Sequence, residues 1–348
     1  MKTLLRVLLK SQHQRNRSEP AQTDKGMTLV ELLVGAIMAF LIITPMFAFV
    51  VDMLNTDRRE QVKSNTEQDL QAAVDFIAQD LSQAIYIYDG KGIGAIRSQL
   101  PAPTDNDKSP ILVFWKRQQI KKSVPISSDE NKNVKPNTCK DFPNLCNDTY
   151  VVSLVAYYQF KDNEPTWCQP SGDPCPTRIA RYEIREPVRN PYSKDATKPY
   201  YGSEELSESQ KGSKAFNEKF NFSKPTENVT MGATFPDPQV LVNYIDPSTS
   251  GPPLSSTECQ AALGKPTDPK DATKLLDEET LKVSDGDSGS ATNSFYACVD
   301  TARNIARVTI RRNSLRRLQA NNTDYKPEKS AYFPTASVQV QGLGGLGK

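Results

Sequence analysis

From Met27 to Val51 the chain reads MTLVELLVGAIMAFLIITPMFAFVV, an apolar run broken by one charge, Glu31. As a helix rising 1.5 Å per residue it extends about 37 Å, enough to cross a bilayer with some tilt. The apolar core of a cleaved secretory signal is only about 7–15 residues long and precedes a small-residue cleavage site, so this run is too long to be one. After Val51 the spacing changes. Leu70, Val74, Ile77, Leu81 and Ile85 recur every three or four positions, with Ala73 and Ala84 between them, and Glu67, Gln68, Gln71, Asp75, Gln79 and Asp80 form the intervening polar face. No Gly or Pro occurs from Val51 to Asp89. The pattern predicts one long helix over roughly 27–87, its first half apolar all round and its second half docking a stripe on a soluble domain.

Beyond Gly90 the period shortens. Segments dense in Val, Ile, Tyr and Phe predict strands at Ile111–Trp115, Tyr150–Phe160, Arg178–Ile184, Val240–Ile245, Phe295–Val299 and Asn304–Arg311. The polar, Pro- and Gly-rich stretches 121–148, 187–236 and 246–293 exceed tight turns and read as surface excursions. The expected architecture is α+β, a long N-terminal helix packed on an antiparallel sheet with decorated loops. It divides into residues 1–26, a membrane-type helix 27–51, its amphipathic continuation 52–88, and a head 89–348.

Charge adds an orientation. Lys2, Arg6, Lys10, Arg15, Arg17 and Lys25 against Glu19 and Asp24 give residues 1–26 a net +4, while the whole chain carries +2. The positive-inside rule keeps that leader in the cytoplasm and sends residues 52–348 outward. The near-neutral remainder gives no reason to expect a nucleic-acid partner. The sole histidine, His13, lies in the leader, so the rest of the chain has no imidazole for a triad or a metal. No G-x-S-x-G and no complete P-loop motif is present, so neither an enzymatic role nor a cofactor is expected.

The six cysteines, Cys139, Cys146, Cys168, Cys175, Cys259 and Cys298, lack the C-x2-C spacing common at zinc. In an exported domain an even number reads as disulfides, with sequential pairing the simplest connectivity. The loop-entropy model gives each short loop about 2.5 kcal/mol and the long one about 4 kcal/mol.

Two residues are unusual for a plain anchor. Glu31 lies in apolar sequence, where an unpaired carboxylate costs several kcal/mol. Pro45 lacks the N–H that would bond the Leu41 carbonyl, which predicts a helix kink. Lys25-Gly26 followed by Met27-Thr28-Leu29-Val30-Glu31-Leu32-Leu33-Val34 resembles the class III signal of type IV prepilins. The resemblance implies a pilin-like fold, cleavage by a membrane aspartyl prepilin peptidase between Gly26 and Met27, and methylation of the new Met27 amine. Met27 stands where the family most often has Phe, and the 26-residue leader is longer than usual. It further implies that Glu31 pairs with a neighbouring subunit's N-terminal amine and sets the register of a filament. Cys298-Val299-Asp300, Ala306–Arg311 and Tyr332–Gly342 resemble the cyanobacterial hormogonium polysaccharide secretion pseudopilins, relatives of minor pilins. The implied partners are other pilins or pseudopilins, an inner-membrane platform protein and, indirectly, an assembly ATPase. The implied location is the bacterial inner membrane with a periplasmic head, assembling into a periplasmic or surface filament.

Other motifs point elsewhere. Arg303, Arg307, Arg311, Arg312, Arg316 and Arg317 crowd together, with Arg307, Thr309 and Arg311 on one strand face opposite Val308 and Ile310. Such a row reads as a solvated face with local carboxylate partners, or as a grip on an anionic polymer. The latter supports a rival, an anchored periplasmic binding protein for an anionic glycan. Ser284-Asp285-Gly286-Asp287-Ser288 and Asp105-Asn106-Asp107 are faintly like calcium loops without the full pattern.

Overall fold

A computed structural model describes residues 28–126 and 134–344, apart from 173, 231, 233, 250, 253 and 286–291. The chain is α+β. Its first element is α1 (Leu29–Ser82), followed by an antiparallel head. Two compact units divide it at Arg58 and Arg59.

In the first unit every residue from Thr28 to Arg58 is exposed, including Leu29, Leu33, Phe40, Phe47 and Leu54. This stretch of helix is apolar around its circumference and, among the described residues, exposed along its whole length.

The second unit begins with the remainder of α1, whose Leu70, Ala73, Val74, Ile77 and Leu81 enter one core with strands from both large sheets. The helix stops at Ser82, short of the expected 87, and β1 (Ala84–Ile87) takes its place. Sequence supplies no local breaker there. The alternating Ala84-Ile85-Tyr86-Ile87 instead pairs with the Phe114–Lys116 stretch of β2 (Lys108–Pro125), and that ladder competes successfully with another helical turn.

The first sheet has the order β1-β2-β3-β4-β5, with β3 (Cys146–Phe160), β4 (Thr177–Arg185) and β5 (Gln239–Ile245). Both of its faces are covered. Lys116, Tyr157 and Arg181 point to α1, where they meet Asp80. Trp115, on the other face by alternation, stacks on Phe220 with ring centroids 4.2 Å apart and meets Phe216 and Phe222 edge-on. Those rings belong to the stretch 187–236, expected on the surface. It instead lies over the sheet and contributes Ala215 and Val229 to the core, because Trp115 and its neighbours need an apolar cover.

The single sheet anticipated is two. The second has the order β11-β10-β9-β8, with β8 (Lys282–Val283), β9 (Phe295–Asp300), β10 (Ile305–Arg311) and β11 (Thr335–Gln341). A side chain at Gly342 would place its Cβ 2.3 Å from the Ala84 carbonyl oxygen, so glycine is what lets the end of β11 pass the start of β1. The stretch 246–293 holds a small hairpin of β6 (Thr267–Asp268) and β7 (Asp271–Leu275), with short helical turns on either side.

Candidate functional site

Thr28 and Glu31 open α1 as a capping box. The Glu31 backbone N–H donates to Thr28 Oγ1 at 3.3 Å, while Glu31 Oε2 accepts the Thr28 backbone N–H at 3.1 Å and its hydroxyl at 3.0 Å. The first-turn N–H groups of a helix lack carbonyl partners, and a Thr-x-x-Glu sequence satisfies two of them reciprocally. The signal was present as Thr28-Leu29-Val30-Glu31, and the sequence reading passed over it. Glu31 therefore has a partner inside its own chain, and its carboxylate faces outward with the rest of this exposed unit.

The next charged residue is Asp52. Between the two carboxylates α1 is long and apolar enough to cross a membrane once. Helix runs through Pro45 without interruption. One turn earlier, Thr44 Oγ1 donates to the Phe40 carbonyl at 2.8 Å, beside the Leu41 carbonyl that Pro45 leaves without its usual donor. Gly26 and Met27, the expected cleavage and methylation positions, lie outside the described residues.

In the head the six cysteines form Cys139–Cys146, Cys168–Cys175 and Cys259–Cys298, with Cα separations of 5.8, 5.1 and 5.1 Å. The third joins a buried helical turn to β9 and so anchors the hairpin region to the second sheet.

The arginine cluster is not a solvated face. Arg311 is buried against Asp246, 2.9 Å away, and donates to the Thr292 carbonyl. Arg312, 1% exposed, donates to the carbonyls of Thr66 and Asn243, both at 2.9 Å, and to Asp69 at 3.2 Å. Arg316 is fully buried and donates to the carbonyls of Gly172, Pro174 and Gln319. Arg303 pairs with Asp300, and Arg317 reaches Asp69 and Thr66 Oγ1. Arg307 is half-buried, with Ser337 Oγ at 3.4 Å. Five of the six guanidiniums thus hold the head together, leaving no row presented to a polymer.

Sequence reasoning also missed Asp80, which it placed on the polar face of the helix. Asp80 stands three residues after Ile77 and seven after Ala73, so the helical period puts it on the buried stripe. Its oxygens accept from Lys116 Nζ at 3.0 Å, Arg181 Nε at 2.7 Å and the Tyr157 hydroxyl at 2.7 Å. Glu183 closes the cluster on Lys116 and Arg181. Burial disfavours the Asp80 anion, but the Arg181 hydrogen bond and charge, with help from Lys116 and Tyr157, outweigh it and hold the carboxyl below its ordinary value. Burial, with Asp80's charge, pushes the Tyr157 hydroxyl well up.

Asp105 pairs with Lys108 and accepts the Asp107 backbone N–H, which makes a closed turn. Asp285 is buried against Lys161 Nζ at 2.6 Å and Thr292, and 286–288 lie outside the described residues. Among the described residues no group of three or more His, Cys, Asp or Glu side chains is placed to hold a metal.

No protein-family model, curated protein sequence or solved structure matches this chain.

Proposed function

We propose that the chain is the precursor of a minor pilin or pseudopilin, a structural subunit of a type II or type IV-like secretion or pilus filament. The observation that carries this reading is the helix beginning at Leu29, capped by Thr28, close after Gly26-Met27 in sequence. It holds Glu31 in its first turn and leaves its apolar side chains exposed as far as Leu54 among the described residues. Such a surface needs lipid or other helices as its solvent. The same segment serves both, first as a bilayer span and then as the core of a helical stack of subunits.

Within that reading the leader is removed on the cytoplasmic side, which keeps the whole helix in the product and creates a cationic amine at Met27. Glu31 lies one helical turn away. Near a membrane interface water solvates its carboxylate; in a filament core that water is gone, and a neighbour's amine offsets the desolvation. The head stays outside the inner membrane, where an oxidising compartment maintains its three disulfides. Prepilin peptidase, a membrane platform, sibling subunits and an assembly ATPase are the partners this role requires, and polysaccharide export is the service we assign to it. The anchored glycan-binding alternative loses the arginine row on which it rested.

Intact mass of the membrane-extracted protein tests the reading. The expected species spans 27–348 with one added methyl and three disulfides, and Gly26→Ala blocks or slows its formation. Retention of residues 1–26 in the mature protein, or cleavage beyond residue 48, would overturn it.

A further inference from the structure

The three disulfides differ in what surrounds them. Cys139 and Cys146 are buried, as are Cys259 and Cys298, each at most 1% exposed. Cys168 and Cys175 are half-exposed, in the connection between β3 and β4. Thiol–disulfide exchange requires a thiolate to reach one of the bonded sulfurs, so access decides which bridge a reductant meets first. Cys139–Cys146 has the same sequence separation as Cys168–Cys175 and therefore serves as an internal control for access.

The accessible bridge closes a loop that satisfies a buried charge. The Gly172 and Pro174 carbonyls accept from the Arg316 guanidinium at 3.1 and 3.3 Å, and the Gln319 carbonyl accepts at 3.4 Å. Arg316 is fully buried, and a guanidinium removed from water depends on its acceptors. Gly172 lies so close to Ala320 that a Cβ there would stand 2.8 Å from the Ala320 carbonyl oxygen. Just before the bridge, the Trp167 carbonyl accepts from Asn243 Nδ2 at 3.0 Å, and the Asn243 carbonyl accepts in turn from Arg312.

The same arginine segment grips α1. Arg312 donates to the Thr66 carbonyl at 2.9 Å and to Asp69 at 3.2 Å, while Arg317 reaches Thr66 Oγ1 and Asp69, both at 3.2 Å. Arg316 and Arg317 share one helical turn, Leu315–Leu318, so what holds the first also holds the second in place.

We propose that Cys168–Cys175 is a site of reversible thiol–disulfide exchange with a dithiol, and that its reduction loosens the grip of this arginine segment on α1 at Thr66 and Asp69. One thiolate of the dithiol attacks a sulfur of the bridge, which breaks the Cys168–Cys175 bond and leaves a mixed disulfide and one cysteine thiolate. The reductant's second thiol then displaces the chain and departs as a disulfide. Two electrons and two protons have passed from the dithiol to Cys168 and Cys175, which are now thiols. Without the bridge the loop regains the open conformations that closure had removed. The Gly172 and Pro174 carbonyls leave Arg316, water reaches its guanidinium, and the turn that carries Arg317 loosens. The inference rests on the head and the part of α1 docked on it, and it is independent of the filament reading.

Full-length protein in liposomes, treated with dithiothreitol under native conditions and trapped with iodoacetamide, tests both parts. Peptide mapping is expected to show Cys168 and Cys175 alkylated about tenfold faster than the other four cysteines. In the protein reduced at that bridge, hydrogen exchange is expected to rise about tenfold over 63–70 and 312–318 and to stay unchanged over 295–300. Reoxidation of an untrapped sample with oxidised glutathione is expected to restore the slow exchange. Cys168→Ser with Cys175→Ser is expected to reproduce the faster exchange without a reductant, and Cys139→Ser with Cys146→Ser to leave 63–70 unchanged. The proposal falls if either buried pair is alkylated as fast as Cys168 and Cys175, or if selective reduction leaves exchange over 63–70 at the oxidised level. It also falls if Cys139→Ser with Cys146→Ser accelerates 63–70 equally, which would make the effect a general loosening of the head.

Discussion

Asp80 shows how one side chain decides whether the helix holds to the head. It is the only acid on the buried stripe of α1, and it gathers Lys116, Arg181 and Tyr157 from three strands. Asp80→Asn keeps the shape but leaves two cations with only Glu183 between them. Breaking one member of a buried charge cluster typically costs about 3–5 kcal/mol, so the urea midpoint of head unfolding should drop accordingly, read from Trp115 fluorescence. The pH dependence has a definite sign. Because the Asp80 carboxyl is held below its ordinary value of 3.8, its contribution is fully present above that pH and disappears as pH falls through the depressed folded value. Wild-type head stability should therefore decline below about pH 4, and Asp80→Asn should flatten that limb. Asp246 behaves oppositely. Burial raises its carboxyl despite Arg311, so its linkage favours the fold at low pH and that advantage is lost as pH rises. A wild-type acid limb no steeper than that of Asp80→Asn would refute the assignment to Asp80.

At the level of elements, periodicity made the helix stripe legible and tertiary competition hid the rest. Leu70, Val74, Ile77 and Leu81 were readable because burial on one helical face demands that spacing, and they are buried. Ile77→Ala should destabilise the head by about 2–5 kcal/mol. Gln71→Ala, which breaks only an exposed bond to Asp75, should cost less than about 0.5 kcal/mol. Comparable effects in chemical unfolding would count against the docking stripe. The six anticipated strands form, with ends shifted outward on β2 and β3. The turn from helix to β1 was illegible because its cause is the partner strand β2 rather than a local breaker. β11 was missed as a strand because its outer residues are Thr, Ser and Gln, weakly distinguished from a loop by composition. The buried arginines misled for a related reason. Charge in sequence implies exposure, whereas Arg312 and Arg316 find backbone carbonyls that no local pattern announces. The Cys259–Cys298 bridge closes the longest of the three loops. Cys259→Ser with Cys298→Ser should lower head stability by about 4 kcal/mol, while membrane extraction still yields the mature mass.

At the scale of the whole chain, the two units have different requirements of their solvent. Residues 28–58 expose every side chain, and the head buries a core on both faces of its first sheet. Substitutions in one unit should accordingly leave the other's behaviour intact, and Glu31 is the sharpest case because it serves two roles. Within the chain it completes the Thr28 capping box; between chains, on the proposed reading, it meets a neighbour's Met27 amine. Thr28→Val removes the hydroxyl that receives the Glu31 N–H, a loss of about 1 kcal/mol at the helix end, and retains the carboxylate. Glu31→Leu removes both functions, and Glu31→Gln keeps a capping oxygen but gives up the charge. All three should insert, lose residues 1–26 and show the wild-type unfolding midpoint for the head. Charge pairing predicts that Thr28→Val still co-assembles and supports secretion while both Glu31 variants fail. Capping alone predicts the reverse ranking, with Thr28→Val impaired and Glu31→Gln active. Wild-type secretion by Glu31→Leu would remove either role from the function. A partial defect in both Glu31 variants would place this subunit at a filament tip, where neighbours lie on one side only, and a complete defect would place it within the shaft.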